Sequence, residues 1–381
     1  MLPTTTDVLV VGAGPVGLVT AATLTRAGVD VTLVDRAAEG DHTSRAVVVH
    51  ARTLEMLDRI GAAEPLVARG VPAARIAIRE RDRTLLDIRF DDLPTRFPYA
   101  LAVPQWTTEQ VLTERLTSLG GRVLRPYRLM SLADDGDRAV ATFADGTTVR
   151  ARWVVGADGM HSTVRQSAGI GFEGDDEDLS FVLADVRVDS GLPRDELLLF
   201  FDRAGVLLWA PLPDGTVRLV AAQEQAPERP DVDHMQALLD ARGPRRSRSR
   251  ITEVVWSSRF RIHHRLATTF RSGRVLLAGD AGHVHSPAGG QGMNLGLRDG
   301  VAVGTALAQV LAGGSEAVLD AYSADNRPIA AQVIGFTRRL TRLTTVPARL
   351  CPARNAALWL LGHVPVVRRR AALQLSGLVY R

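Results

Sequence analysis

Asp7-Val8-Leu9-Val10-Val11-Gly12-Ala13-Gly14-Pro15-Val16-Gly17 is the stretch on which the fold turns. A short β-branched run ends in glycine and reads as a buried strand. Pro15 to Ala27 is apolar at helical spacing and stops at Gly28, a residue type suited to closing a helix. Val29 to Val34 is a second apolar strand, closed by Asp35. Strand, helix and strand within about thirty residues make a βαβ unit, which implies parallel strands in an α/β sheet. Gly12, Gly14 and Gly17 satisfy G-x-G-x-x-G between strand and helix. The first glycine serves a tight turn, the second admits a pyrophosphate close to the backbone, and the third lets helix and strand pack. Pro15 opens a helix whose free N–H groups and positive dipole end face the phosphates. Asp35 follows Gly17 by 18 residues, where a carboxylate holds ribose hydroxyls. The unit predicts dinucleotide binding without choosing between FAD and NAD.

Further along, Thr107 to Leu119 predicts a helix ending at Gly120-Gly121. Two strands flank the hairpin signal Asp145-Gly146, the second running into Trp153-Val154-Val155-Gly156. Leu197 to Pro211 and Thr216 to Ala222 flank Asp214-Gly215 and read as antiparallel strands, in a region without βαβ rhythm. Parallel-strand character returns at Arg274 to Asp280, followed by a Gly-rich loop and a helix from about Met293 to Leu311. From about Leu319 the chain reads as helical, with breaks at Pro328, Pro347, Pro352 and Pro365. The expected fold class is α/β. It has a discontinuous Rossmann-like nucleotide domain (1–73, 101–173 and 268–330), a second domain built mostly on an antiparallel sheet (74–100 and 174–267), and a helical C-terminal segment (331–381).

The 381-residue chain is 46% hydrophobic and 23% charged, an ordinary globular composition. It contains no lysine, so all 46 basic residues are arginine; P-loop, Schiff-base and lysine-base chemistries are excluded. The single Cys351 excludes a disulfide framework within the chain and is read as structural. No second G-x-G-x-x-G and no C-x-x-C occurs, which argues against a disulfide reductase. A net charge of +4 without a basic stripe argues against nucleic-acid binding, and Arg245 to Arg250 reads as a solvated loop. No apolar run reaches the ~18–20 residues of a membrane span, and Met1 to Asp7 lacks the features of a signal peptide. A cytoplasmic protein is expected. His283 and His285 are too few for a metal site, and His263-His264 fits a strand or loop; no metal is expected.

Two further motifs each follow an apolar strand. One is Gly156-Ala157-Asp158-Gly159-Met160-His161-Ser162-Thr163-Val164-Arg165. The other runs Gly279-Asp280-Ala281-Gly282-His283-Val284-His285-Ser286-Pro287-Ala288-Gly289-Gly290-Gln291-Gly292-Met293-Asn294. With the N-terminal fingerprint, their order and spacing resemble the three signatures of the group A flavoprotein monooxygenases, p-hydroxybenzoate hydroxylase-like enzymes, over roughly residues 7 to 330. Arg45-Ala46 through Arg52-Thr53-Leu54-Glu55, and Pro104-Gln105 to Glu109, resemble the members that tailor polyketides and degrade phenols.

The resemblance implies non-covalent FAD, NADPH or NADH as reductant, and O2. NAD(P)H reduces the flavin, a C4a-(hydro)peroxide forms with O2, and one oxygen atom passes to an electron-rich aromatic or phenolic substrate, such as a polyketide or related natural product. It also implies roles. Asp35 holds the adenosine ribose and Arg36 lies beside the adenine. Arg45 lies near the pyrophosphate and Gln105 near the ribityl chain. Asp158 falls in a region shared by FAD pyrophosphate and NAD(P)H. Asp280, after Gly279, bonds a ribityl hydroxyl. Pro287 stands at the reactive edge of the isoalloxazine, as a neighbour rather than an acid or base. Gly289 to Asn294, through Gly290, Gly292 and Met293, set backbone N–H groups and a helix N-terminus at the pyrimidine end. There reduced flavin carries negative charge, and donors placed where charge develops stabilise it.

The substrate is expected between the flavin and the antiparallel sheet, with Leu197 to Trp209 and Val217 to Ala221 as the wall. With 5% aromatic residues, an apolar aliphatic pocket is expected. Many polyketide-tailoring members carry a C-terminal thioredoxin-like domain, which a sequence of this length is expected to lack. The tail is expected to cap the cleft or the domain interface, with a dimer contact second and a membrane-surface contact through Arg368-Arg369-Arg370 third. Stable membrane insertion is not expected, and monomer and homodimer both remain open. Baeyer–Villiger insertion, epoxidation or oxidative inactivation of an antibiotic such as a tetracycline are alternatives on the same fold. A flavin-binding accessory module is the non-enzymatic alternative. The absence of lysine disfavours a flavin halogenase.

Overall fold

The computed structural model describes residues 1–40, 46–223 and 225–380. Val8, Leu9, Val10 and Val11 are buried in the strand Thr5–Val11. This strand pairs in parallel with Val31–Val34 on one side and Thr148–Gly156 on the other. Val275–Leu277 and Val123–Leu124 extend the parallel array outward. Burial on both faces explains why these strands are continuous apolar runs rather than alternating ones. A hairpin, Leu129–Asp134 with Ala139–Phe143, joins the outer half of Thr148–Gly156 in antiparallel fashion.

The helix Pro15–Arg26 packs along Gly292–Leu311. Gly296, Gly300 and Gly304 form the seam. A Cβ on Gly300 would stand 2.5 Å from Val19, and one on Gly296 would stand 2.7 Å from Val16. Glycine every fourth residue lets the two backbones approach, and this holds the two motif-bearing helices side by side.

A second sheet of eight strands is ordered His283–Val284, Arg250–Ala267, Phe172–Asp189, Val217–Gln223, Gly205–Pro211, Leu197–Asp202, Arg75–Glu80 and Arg83–Arg89. All neighbours are antiparallel except Leu197–Asp202 with Arg75–Glu80. The run Leu197 to Pro211 is two strands, not one. The Asp202 carboxylate accepts the Ala204 N–H at 2.9 Å and closes a turn inside an otherwise apolar run. Each strand then divides its side chains by face. Leu198, Phe200, Leu207 and Trp209 pack beneath the helix Val232–Arg242, while Leu197, Leu199, Phe201, Val206 and Leu208 face the other way, into a cavity.

The tail comprises Ala317–Thr344, Cys351–Gly362 and Pro365–Leu375. Pro352 and Pro365 sit in first turns, where a missing N–H costs nothing, and Pro347 precedes a short 3-10 turn. Pro328 does not break the chain but lies inside Ala317–Thr344. An interior proline costs ~3 kcal/mol. Burial of Tyr322, Ala330 and Val333 on either side, with the Tyr322 hydroxyl donating to the Leu277 carbonyl at 2.7 Å, offsets it.

Candidate active site

A cavity of about 700 Å3 joins the two sheets. Gly14, Pro15 and Val16 line one end, with Ala157, Gly159 and Asp280 beside them. The Pro287 to Gly290 turn, Gly292 and Met293 line the middle. The far wall is apolar: Ile76, Leu86, Leu183, Leu199, Leu208 and Val220 among others. The tail closes it with Phe336 and Leu340 from one helix, Leu358 from the next, and Ala371, Gln374 and Leu375 from the last.

The dinucleotide end is built by close approach. Gly12 has φ +101°, and a Cβ there would meet the Ala157 carbonyl oxygen at 2.3 Å. A Cβ on Gly17 would stand 1.8 Å from the Gly12 carbonyl oxygen. Gly14 is different, with nothing within 4 Å of where its Cβ would be. That open cradle, at the head of a helix begun by Pro15, suits a pyrophosphate. Asp35 accepts the Ala13 N–H at 2.6 Å and the Ala37 N–H at 2.8 Å, keeping lone pairs for hydroxyl donors. Arg36 is exposed beside it. Arg45 lies outside the described residues. Arg125, not identified from the sequence, lies 3.3 Å from Asp35 and donates to the Glu39 carbonyl at 2.9 Å. It adds a cation at this end, from a loop that no motif marks.

Gln105 lines the cavity at the start of the helix Gln105–Ser118 and donates to Glu109 at 2.9 Å. Its carbonyl oxygen faces the Ala46 N–H at 3.4 Å. Ala46 is tied to the second sheet as well: its carbonyl accepts from Arg218 at 3.1 Å, and Arg218 is fully buried and paired with Asp185 at 2.7 Å.

Asp158 is close to Gly12 but its carboxylate turns away from the cavity. It accepts the Ser162 hydroxyl at 2.5 Å and the Val164 N–H at 3.2 Å, capping the short helix Thr163–Ser167. Burial pushes its carboxyl above the usual range despite those bonds. Asn294 also points inward. It accepts the His50 N–H at 2.8 Å and donates to the Val48 and Gly290 carbonyls at 2.8 and 2.7 Å, so its amide pins the glycine turn to the strand Val48–Val49. Asp280 is exposed at the cavity. Gly289 and Gly290 take φ +82° and +63°, conformations open to glycine at little cost, and so bring bare backbone to the cavity.

Two histidines not assigned a role from the sequence line the same cavity. His50 is buried, with Nε2 2.9 Å from the Gly289 carbonyl. That nitrogen must carry the proton, because a carbonyl only accepts. Nδ1 is then a bare acceptor and has no hydrogen-bond partner among the described residues. His285 mirrors it: Nδ1 faces the Ser286 carbonyl at 2.9 Å and Nε2 has no partner. Burial lowers both to about 4, so both are neutral at pH 7. His263, also at the cavity, lies 2.8 Å from Asp176; Arg265 and then His263 hold the Asp176 carboxyl down at about 2.

Behind the cavity, Asp299 and His283 form a buried pair at 2.5 Å. The same Asp299 oxygen accepts the Gly279 N–H at 3.2 Å. Asp299 thereby fixes the turn that presents Asp280.

The chain is similar to known proteins over nearly its whole length. The model of the FAD binding domain family matches residues 5–337. The chain is 40% identical to 6-methylpretetramide 4-monooxygenase of Streptomyces rimosus, over 96% of this chain and 67% of that protein. The solved structure of OxyS anhydrotetracycline hydroxylase from Streptomyces rimosus superposes with a TM-score of 0.79 at 37% identity, over 98% of this chain and 76% of that one. That of p-nitrophenol 4-monooxygenase from Pseudomonas putida gives 0.86 at 27% identity, over 99% of both chains. The chain belongs to the FAD binding domain family, among the group A flavin-dependent monooxygenases. It is an FAD-dependent enzyme with NAD(P)H and O2 as co-substrates.

Proposed function

We propose that this monooxygenase hydroxylates a polycyclic phenolic compound, of the kind made by aromatic polyketide assembly. The observation that carries the reading is the continuous cavity, polar and glycine-lined at the nucleotide end and walled by aliphatic side chains at the other. Bound FAD supplies the electrons drawn from NAD(P)H and the activation of O2. The chain supplies position, dryness and donors.

In this reading Gly12, Gly14 and Gly17 shape the pyrophosphate cradle, and Asp35, with Arg36 and Arg125 nearby, receives the adenosine. Asp280 accepts from a ribityl hydroxyl. The turn from Pro287 to Gly290 lies against the ring, and the head of Gly292–Leu311 offers unpaired N–H groups to its pyrimidine end. Asn294 acts on that turn through the backbone it pins. Ile76, Leu199, Leu208 and Val220 receive the flat apolar body of the substrate and exclude water. His50 and His285 are neutral and present acceptor nitrogens, suited to hold a hydroxyl proton without adding a charge. The similarity to enzymes named for tetracycline intermediates supports a substrate of that shape.

The test is direct. The FAD-loaded protein is supplied with NADH or NADPH and a panel of mono-, bi- and tetracyclic phenols under 18O2. Substrate-stimulated NAD(P)H oxidation with one 18O atom in a polycyclic product is expected. Turnover confined to monocyclic phenols, or a ring-opened product, overturns the assignment.

A further inference from the structure

The chain's charge is segregated. From Asn326 to Arg381 there are ten arginines and no aspartate or glutamate, while the preceding 325 residues hold 36 arginines against 42 acids, a net −6. The cationic part coincides with the tail helices. Several of its arginines are engaged within the fold: Arg338 pairs with Asp175, Arg327 donates to the Ala267 carbonyl, and Arg354 is buried. Arg342, Arg349, Arg369 and Arg370 are exposed and have no ion-pair partner among the described residues.

The same tail segments also carry exposed apolar side chains. Leu360 and Val366 are each 61% exposed, and Leu350, Trp359, Leu361 and Val364 stand open beside them. A soluble surface does not ordinarily cluster large apolar side chains this way. The cluster is rigidly mounted. Cys351–Gly362 and Pro365–Leu375 both pack on the edge strand Arg83–Arg89, Gly362 lies so close to it that a Cβ would meet the Leu85 carbonyl oxygen at 2.4 Å, and the Arg83 guanidinium sits over the Trp359 ring at 4.9 Å. Leu358, one residue from the exposed Trp359, lines the cavity; the patch is therefore one helix away from the site.

We propose that this face docks on an anionic lipid surface. Exposed apolar side chains on tail segments that also carry unpaired arginines, with no acid in the whole segment, are complementary to acyl chains beneath negatively charged headgroups. A second copy meeting the same helices across a two-fold axis would set arginines against arginines, with no acid on those helices to neutralise them. No helix among the described residues is long and apolar enough to cross a membrane, so the attachment is peripheral. The inference does not depend on which substrate is oxidised.

The test uses the full FAD-loaded chain and sedimentation with two vesicle preparations, phosphatidylcholine alone and phosphatidylcholine with phosphatidylglycerol. Co-sedimentation with the anionic vesicles only is expected, lost as salt rises from about 0.1 to 1 M and the screening length falls from about 10 to 3 Å. The double variant Arg369→Gln/Arg370→Gln should bind about 30-fold more weakly, at about 1 kcal/mol per surface arginine. Leu360→Gln/Val366→Gln should abolish binding while FAD content stays at the wild-type level. If that apolar variant fails to fold, the arginine variant, altered only at exposed positions, decides alone. The proposal is overturned if the wild type stays in the supernatant with anionic vesicles at low salt, or if the arginine variant sediments like the wild type. It is also overturned if the protein ignores vesicles and light scattering shows a dimer that Leu360→Gln/Val366→Gln turns into a monomer.

Discussion

Replacing Asp299 with alanine removes one carboxylate oxygen that serves two buried groups, the Gly279 N–H at 3.2 Å and His283 Nε2 at 2.5 Å. Both partners are left in a dry interior, His283 at 1% exposure. A buried donor deprived of its acceptor costs ~1–3 kcal/mol, so the two together cost about 2–6 kcal/mol. At an unfolding entropy of roughly 2.1 cal/mol/K per residue, the 381-residue chain loses about 1.3 °C in Tm per kcal/mol. A fall of about 3–8 °C is expected for the FAD-free protein by intrinsic fluorescence. FAD retention on desalting should fall as well, because Gly279 anchors the turn that presents Asp280. Asp299→Asn keeps an oxygen acceptor and should lose less than half as much. A melting temperature within 1 °C of wild type for Asp299→Ala, with undiminished FAD, refutes the reasoning, for it would mean that neither donor depends on this carboxylate.

Gly17→Ala puts a Cβ 1.8 Å from the Gly12 carbonyl oxygen, a backbone atom that cannot yield; the purified protein should emerge without flavin absorbance, and a yellow protein would contradict the cradle. Leu199→Ala trims the apolar wall without touching the glycine-lined end; losing ~1.5–2 kcal/mol of substrate burial should raise KM about 10- to 30-fold, with kcat and FAD content nearly unchanged in steady-state assays. His50 and His285 are lowered from 6.5 to about 4, so below pH 6.5 the unfolded chain binds protons the folded one refuses, and stability falls as pH drops from about 6.5 to 4. His50→Gln should flatten that limb in denaturant titrations run across the same pH range, and an unchanged slope would show that the folded ring takes up a proton as readily as the unfolded one.

The geometry of the glycine turn was readable because its physics is local. Gly12, Gly14, Gly17 and Asp35 act within one βαβ unit, so spacing alone carries their geometry. The Gly279 to Asn294 motif was readable for the same reason. What escaped depended on partners distant in sequence. Asp299 matters through His283 and Gly279, Asn294 through Val48 and His50, and Arg125 through Asp35. The turn at Asp202 to Ala204 was hidden inside a run apolar enough to pass for one strand, and without it the faces of Leu197 to Pro211 could not be assigned. Pro328 was read as a break because local propensity opposes it; packing around Tyr322 and Val333 overrules propensity.

The cavity's roof has a consequence for how the molecule comes into being. Every residue at the nucleotide end is translated by Asn294, yet the lining from Phe336 to Leu375 is made afterwards. At roughly 5–20 residues per second of synthesis, about 4–16 s separate the two. During that interval the nascent chain already owns a place for the dinucleotide but no enclosed chamber. Assembly is thus ordered in time: the glycine turns around Gly12 and Gly290 exist before the helices that close the chamber over them.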